Sequence, residues 1–246
     1  MKYLMIHTVD KSTTPNNPTC DMPEALGAWL DEMLARGVEL DGARLHPISD
    51  ATTVRAPGGK AEVTDGPFAE TKEQVAGYDV IDCPDIDAAV AVASAHPTTQ
   101  VGSIEIRAFR EGMPDPVVPD APADGKLRYL MLVCADMRRA AAAETDRSAG
   151  DTAGDGDEGH DDIDAWIAAA GSRRLYGWAL EHPDSAVTVR RVDGRVVTTD
   201  GPFAETKEQV AGFDLLECQD LDDALEVASG HPVARGGVIE LRPVWC

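Results

Sequence analysis

The sequence has few basic and few aromatic residues. Lys and Arg number 22 against 44 Asp and Glu in 246 residues, the formal net charge at pH 7 is -22, and aromatic residues make up 5%. The chain has no cluster of Lys or Arg that could displace counterions from phosphate, which disfavours binding to nucleic acid or to an anionic membrane surface. It also has no apolar run of about 18 residues, so we expect no membrane-spanning helix.

Cysteine usage indicates a reducing compartment. The number is odd and the spacing is not that of a disulfide framework: Cys20, Cys83, Cys134, Cys218 and Cys246. We therefore expect buried free thiols and a cytoplasmic protein. The N-terminal run MKYLMIHTVD is too short for a signal peptide and predicts a strand. Catalytic patterns such as P-loops, GxGxxG, paired CxxC and Ser-His-Asp triads are missing from the sequence.

The dominant positive feature is an internal repeat. Residues 64–77, TDGPFAETKEQVAG, recur letter for letter as residues 199–212, and the offset of 135 holds without a gap from 51 to 109. The chain therefore consists of a first domain over 1–110, a linker over 111–125 and a second domain over 126–246. The second domain has an acidic insertion near 148–162, whose acidic spacing fails the calcium-loop pattern, so we predict no metal site there.

Hydrophobic periodicity predicts the same elements in both domains. The order is β-α-β-β-(β)-α-β, which is the split βαβ or ferredoxin-like arrangement, with a hairpin over 52–64 and a helix over 86–95 that Asp85 caps. One face of such a sheet carries the helices, and the other face needs a cover. We therefore predict an α+β protein in which two ferredoxin-like domains pack sheet to sheet as an intramolecular pseudo-dimeric α+β barrel around a cavity.

Several motifs resemble the DGPF branch of the YCII-related superfamily. They are the DGPFAETKE block, the following Gly-Tyr or Gly-Phe strand, the His-Pro pairs at 96–97 and 231–232, and the closing Glu-x-Arg. The resemblance covers nearly the whole chain twice and implies a ferredoxin-like fold that dimerises into an α+β barrel, here within one chain. It implies less about activity, because most DGPF proteins have no assigned reaction. The wider group includes lyases such as dehydrochlorinases, with a proposed His–Asp acid–base pair.

Strand alternation predicts which side chains face the cavity. We expect Leu4 and Ile6 in the first strand, and Ile104 and Ile106 in the last, to face the helices. The opposite face then carries four Arg, two Glu, two Tyr and one His: Tyr3, His7, Arg55, Glu105, Arg107, Tyr129, Arg190, Glu240 and Arg242. The alternative is that the Arg and Glu residues form buried salt bridges between the sheets.

The repeated loop is predicted to rim the same cavity and to bind a ligand with its charged and aromatic side chains: Asp65, Phe68, Glu70, Lys72, Asp200, Phe203, Glu205 and Lys207. Asp65 and Asp200 are expected to accept hydrogen bonds from backbone N–H groups of their own turns. Phe68 and Phe203 are expected to anchor the loop in the core. The alternative is a rigid loop with local ion pairs and no ligand.

His7 is the candidate catalytic residue, because Val133 replaces it in the second copy and imidazole titrates near neutral pH. Arg55 or Arg107 would stabilise developing negative charge. A core histidine is the alternative, and His96 and His231 are expected to serve helix ends. We predict a small, anionic ligand and a cofactor-independent lyase, isomerase or cyclase. The alternatives are a non-catalytic ligand-binding or regulatory accessory protein of the sigma-factor-associated type and a purely structural scaffold. We expect a monomeric pseudo-dimer, open to further self-association.

Overall fold

The structure, a computed structural model, describes residues 1–10, 23–119, 121–136 and 158–245, with the side chains of 158–161 left out of the description. Most of the acidic insertion predicted near 148–162 lies outside these residues. The first and second copies below are residues 1–110 and 126–246.

Both copies contain the predicted elements in the predicted order, with one strand more than predicted between the first helix and the hairpin, which is β2 in the first copy and β8 in the second. The first copy contains β1 (Lys2–Asp10), α1 (Glu24–Ala35), β2 (Glu39–Arg44), β3 (Thr52–Arg55), β4 (Glu62–Asp65), β5 (Glu73–Asp82), α2 (Ile86–Ala95) and β6 (Gly102–Ala108). The second contains β7 (Leu127–Ala135), α3 (Glu158–Ala170), β8 (Arg174–Ala179), β9 (Val187–Val192), β10 (Arg195–Asp200), β11 (Gln209–Cys218), α4 (Leu221–Gly230) and β12 (Val238–Pro243).

The local signals act as the sequence predicts. The Asp85 carboxylate accepts the Ala88 N–H at 2.9 Å and caps α2, and Asp220 does the same for the Asp223 N–H at the start of α4. His96 and His231 follow these helices, and the Nδ1 of each accepts a backbone N–H at 3.1 Å in the 3-10 turn that comes next. The expectation that both histidines serve helix ends is confirmed.

The strands form two six-stranded antiparallel sheets, and the hairpins are exchanged between the copies. One sheet has the order β10-β9-β6-β1-β5-β2 and the other β4-β3-β12-β7-β11-β8. Hairpin β3–β4 of the first copy thus extends the sheet of the second copy, where Val54 lies opposite Ile239, and hairpin β9–β10 extends the sheet of the first, where Val189 lies opposite Ile104. Each copy completes the sheet of the other.

The two sheets face each other across one apolar core. Leu4, Ile6 and Val80 of one sheet pack with Leu130 and Leu215 of the other in a single buried cluster. The sheets also meet at two seams. Leu45 bridges to Val244 beside β2 and β12, and Phe109 bridges to Leu180 beside β6 and β8. The eight inner strands are therefore linked in a ring, through one residue pair at each seam rather than through a full ladder.

The faces predicted for β1 are the reverse of those observed. Tyr3 and Met5 pack with Ile104 and Ile106 against α1 and α2, while Leu4 and Ile6 face the other sheet. Pairing dictates this result: Met5 lies opposite Ile106, and directly opposed residues of an antiparallel pair share a face. The predicted face of the last strand is confirmed. The predicted face is therefore wrong for Tyr3 and His7 on β1 and for Tyr129 on the equivalent strand β7, which all lie on the helix side of their sheets.

Two further expectations concern composition. Cys83, Cys134 and Cys218 are buried free thiols, as predicted, whereas Cys20 and Cys246 lie outside the described residues. Among the helices of the described residues, none is long and apolar enough to cross a membrane.

Candidate functional site

The buried arginines and glutamates join the two copies. Arg107 donates from Nη1 to the carbonyl oxygens of Glu181 and Val210, both at 3.1 Å, and pairs with Glu105. Arg242 makes the equivalent contacts in the other direction, to the carbonyls of Val75 at 2.9 Å and of His46. Arg107 and Arg242 face the other sheet, as predicted, but their guanidinium groups are already bound by carbonyl groups and glutamates and are not free to bind a ligand.

The repeated loop donates a backbone N–H to the glutamate of each ion pair. The Phe68 N–H donates to Oε2 of Glu240 at 3.0 Å, and the Phe203 N–H donates to Oε2 of Glu105 at 3.0 Å. Glu240 lies 3.3 Å from Nη1 of Arg242. Burial raises the pKa of Glu240, while Arg242 and the Phe68 N–H lower it. The DGPF loop of each copy therefore anchors an exchanged hairpin to a buried carboxylate of the other copy.

Within the part of the chain that the structure describes, the cavity between the two DGPF loops is too small for a ligand of the predicted kind. The cavity there, beside both loop phenylalanines and both glutamates, has a volume of about 20 Å³, which is enough for about one water molecule. The predicted ligand-sized cavity between the sheets is thus replaced by packed side chains.

The remaining predicted residues are dispersed. Arg55 donates to the Gly237 carbonyl at 3.1 Å, and Arg190 pairs with Glu73 at 3.2 Å. The predicted turn hydrogen bonds of Asp65 and Asp200 are wrong, because within the described residues no backbone N–H donates to either carboxylate. The first turn is instead held by the Gly66 N–H, which donates to the Ala51 carbonyl at 2.8 Å. The other charged residues of the loops are exposed: Glu70, Lys72, Glu205 and Lys207.

The structure brings a different group of residues around His7. Nε2 of His7 lies 2.8 Å from Oδ2 of Asp79, and Nε2 of His96 lies 3.7 Å from the same oxygen. The two imidazole rings are 4.3 Å apart, and Trp29 packs edge-on against His96 at 4.4 Å. All three polar side chains are buried, yet these two nitrogens and this oxygen make no aligned hydrogen bond within the described residues. They form a buried polar cluster in which these three atoms have hydrogen-bonding capacity to spare.

The tautomer of His96 follows from its backbone contact. Its Nδ1 accepts the Thr98 N–H, so in the neutral ring the proton resides on Nε2, which points towards Asp79. Burial, with a smaller contribution from the charge of His7, lowers the pKa of His96 to about 2, so the ring is neutral. A metal ligand must offer an unprotonated nitrogen. His7, Asp79 and His96 are close enough together to suggest a metal site, but the protonated Nε2 of His96 does not fit one.

Glu39 lies beside this cluster and was not recognised in the sequence. It is 6% exposed, and burial together with the charges of Asp79 and Asp41 raises its pKa to about 10. Gly42 makes room for the two carboxyl groups: a Cβ at this position would stand 2.3 Å from Oδ1 of Asp79 and 2.7 Å from Oε1 of Glu39. A second acidic residue is thus packed against the partner of His7.

The second copy has the same framework with a different charge distribution. Trp166 packs edge-on against His231 at 4.5 Å, as Trp29 does against His96. Arg174 takes the position of Glu39, and its Nε donates to Oδ1 of Asp214 at 2.6 Å. With Val133 in place of His7, this aspartate has an arginine partner and no imidazole in the equivalent position.

A cleft opens on the cluster of the first copy. Its volume is about 480 Å³, and its walls come from β1, α1, β2, β5 and the turn after α2. The polar cluster lies among apolar residues that include Leu26, Leu30, Trp29 and Trp245. Trp245 reaches the cleft from the second copy and stacks on His46 at 3.7 Å. Both copies therefore build a cleft that contains the cluster of only one.

Fold and site together define a class: tandem ferredoxin-like α+β proteins with paired sheets. The chain belongs to the YCII-related family, because the family model of the YCII-related domain matches residues 1–111 and again residues 129–246. An uncharacterized protein of Rhizobium meliloti (strain 1021) is 48% identical over 69 residues, which are 26% of this chain and 54% of that protein. The match thus spans about half the length of that relative.

Proposed function

We propose that the chain is a small-molecule enzyme that transfers a proton in the cleft of the first copy, as a cofactor-independent lyase or isomerase. The observation that supports this most is the short contact between His7 and Asp79 on the wall of a 480 Å³ cleft. Small-molecule sites have volumes of about 300–1,000 Å³ and combine apolar walls with a few convergent polar groups. The proposed site has both properties.

His7 is the proposed acid–base residue, and Asp79 is its positioning residue. The Asp79 carboxylate, 2.8 Å from Nε2, holds the ring in place for this role. Nε2 faces the carboxylate of Asp79, so we assign the proton transfer to the other ring nitrogen, Nδ1, which lies near Gly77. The neutral His96 offers its Nε2–H as a hydrogen-bond donor to an oxygen that becomes negative.

The ligand we propose is small and mostly apolar, with one acidic C–H group. Leu26, Leu30, Trp29 and Trp245 line the cleft beside the cluster, and an apolar ligand bound there would displace water and strengthen the electrostatic interactions of the cluster. The arginines of the sequence prediction do not support an arginine-bound anion, because Arg55, Arg107, Arg190 and Arg242 are engaged by carbonyl groups and carboxylates. The proposal therefore keeps the acid–base chemistry of His7 without an arginine partner.

Hydrogen–deuterium exchange tests this function without a known substrate. A panel of ketones, lactones and enones is incubated with the protein in D2O, and deuterium uptake at acidic C–H groups is followed by NMR. We expect His7→Val, which copies the second copy, and Asp79→Asn to slow exchange by about 10²–10⁴-fold. Asp214→Asn, at the equivalent position of the second copy, should change it less than about threefold, if circular dichroism shows that the variants are folded.

Two results would reject the proposal. If compounds bind in the cleft and none exchanges faster with the wild-type protein than in buffer, the chain is a ligand-binding protein. If His7→Val keeps the full exchange rate, His7 is a structural residue of the core and the acid–base assignment is wrong.

A further inference from the structure

Glu39 has surroundings that do not suit an ionised carboxylate. Both of its carboxyl oxygens are buried and have no hydrogen-bond donor within the described residues. Its nearest charged neighbours are two other carboxylates, Asp79 on β5 and Asp41 on its own strand. Asp41 accepts hydrogen bonds from the hydroxyl groups of Tyr78 and Tyr176. The charged side chains of α1, which packs on β2, are exposed.

The second copy shows which atom needs a partner at this position. There Arg174 occupies the place of Glu39, and its Nε donates to Oδ1 of Asp214. In the first copy, Oδ1 of Asp79 and Oε1 of Glu39 flank the same small space above Gly42. Glu39 therefore stands where the second copy places a hydrogen-bond donor, and a carboxyl group donates only when it holds a proton.

We propose that Glu39 is protonated in the folded protein and donates a hydrogen bond to Oδ1 of Asp79, as the positioning residue of the His7–Asp79 pair. The proposed function gives this role its meaning. A protonated carboxyl group orients Asp79 without neutralising it, so the negative charge of Asp79 remains available to His7. An arginine at this position would cancel that charge and repel the imidazolium form, and an ionised glutamate would repel Asp79.

The protonation state is open to direct measurement. Infrared spectra of wild-type protein at pH 7 and of the Glu39→Gln variant are subtracted, with glutamate labelled with ¹³C at the side-chain carboxyl to separate it from aspartate. We expect a C=O stretch of a buried protonated carboxylic acid that shifts with the label and is lost in the variant. Because Glu240 is present in both proteins, its band cancels. If the difference spectrum shows only carboxylate bands, Glu39 is ionised and the proposal is wrong.

The positioning role is tested on His7 itself by NMR titration of its imidazole. Glu39→Gln retains a neutral donor and should leave the pKa of His7 within a few tenths of a unit. Glu39→Arg reproduces the residue of the second copy. It should lower that pKa by about one unit or more and slow the deuterium exchange by about tenfold or more. If both variants leave His7 unchanged, Glu39 does not act on the pair.

The two proposals fail in different ways. If infrared spectra show that Glu39 is protonated but the protein exchanges no compound, the proposed function is wrong and the protonation of Glu39 stands. Ionised Glu39 with His7-dependent exchange rejects the role of Glu39 and keeps the function.

Discussion

Replacing Glu240 with alanine tests the buried contacts that join the two copies. Glu240 and Arg242 are 2% and 1% exposed, and the Phe68 N–H also donates to Glu240. Removing one partner of a buried ion pair costs about 3–5 kcal/mol, because the other charge remains buried. The orphaned N–H adds about 1–3 kcal/mol. We expect a loss of at least about 4 kcal/mol, a large share of the roughly 5–15 kcal/mol that stabilises a domain.

Urea denaturation, followed by tryptophan fluorescence and by circular dichroism, measures this loss. In a chain of this size, a loss of this magnitude should also lower the Tm of thermal unfolding by about 10 °C. Two controls sharpen the result. Glu105→Ala removes the equivalent carboxylate, which accepts a hydrogen bond from the Phe203 N–H, and should cost a similar amount. The double variant Glu240→Ala/Arg242→Met removes the stranded charge and should recover part of the loss. A loss below about 1 kcal/mol in Glu240→Ala would refute the role of this contact.

Three further predictions concern the site and the exchanged hairpins. Gly42→Ala should displace the Asp79 carboxylate, whose Oδ1 would lie 2.3 Å from the new Cβ. We expect the free energy of unfolding in urea to fall by about 1–3 kcal/mol and the deuterium exchange of compounds in the cleft to slow. A variant with unchanged stability and exchange would contradict the close packing. Folding raises the pKa of Glu39 from 4.5 to about 10, so its contribution to the free energy of unfolding is most favourable below pH 4.5 and declines as the pH rises towards 10. Glu39→Gln should remove this decline, which amounts to up to about 1.4 kcal/mol per pH unit. Parallel curves of stability against pH for the two proteins would contradict this prediction. Residues 1–125 alone lack β12, the partner of β3, so they should form a homodimer in analytical ultracentrifugation, and a stable folded monomer would contradict the exchange.

Most elements were predictable because they carry their own local signals, whereas β2 and β8 were not predicted. The helix over 86–95 has an aspartate cap at its start and a proline beyond its end, and the structure places α2 at the same residues. The repeat then predicts the same elements in the second copy. Local signals of this kind depend on neighbouring residues alone, so they do not require knowledge of which strands pair.

The faces of β1 were not predictable from alternation. Residues 3–8 are all buried, because one face of the strand meets the helices and the other meets the opposing sheet. Alternation of apolar and polar residues distinguishes two faces only when one of them is exposed. The correct assignment needs the pairing of Met5 with Ile106, which is a long-range fact.

The exchange of the hairpins leaves no trace in the sequence for a related reason. Thr53 lies opposite Glu240, and Thr188 opposite Glu105, so equivalent residues make equivalent contacts in both directions. A hairpin that fits the last strand of the other copy fits the corresponding strand of its own copy equally well by sequence. Connection lengths and the packing of both sheets decide between these pairings, and neither follows from residue patterns.

The comparison between copies explains how the candidate site could have been found. Asp79 and His96 are retained as Asp214 and His231, where the same tryptophan contact recurs, so these residues serve the framework in both copies. His7 and Glu39 are the two members that change, to Val133 and Arg174. The arginine supplies the aspartate of the second copy with a cation from a neighbouring strand. The first copy replaces that cation with an acidic residue and adds an imidazole, which leaves a buried charge whose partner can gain and lose a proton. These two differences around a retained aspartate are the sequence signal on which the proposed proton transfer rests.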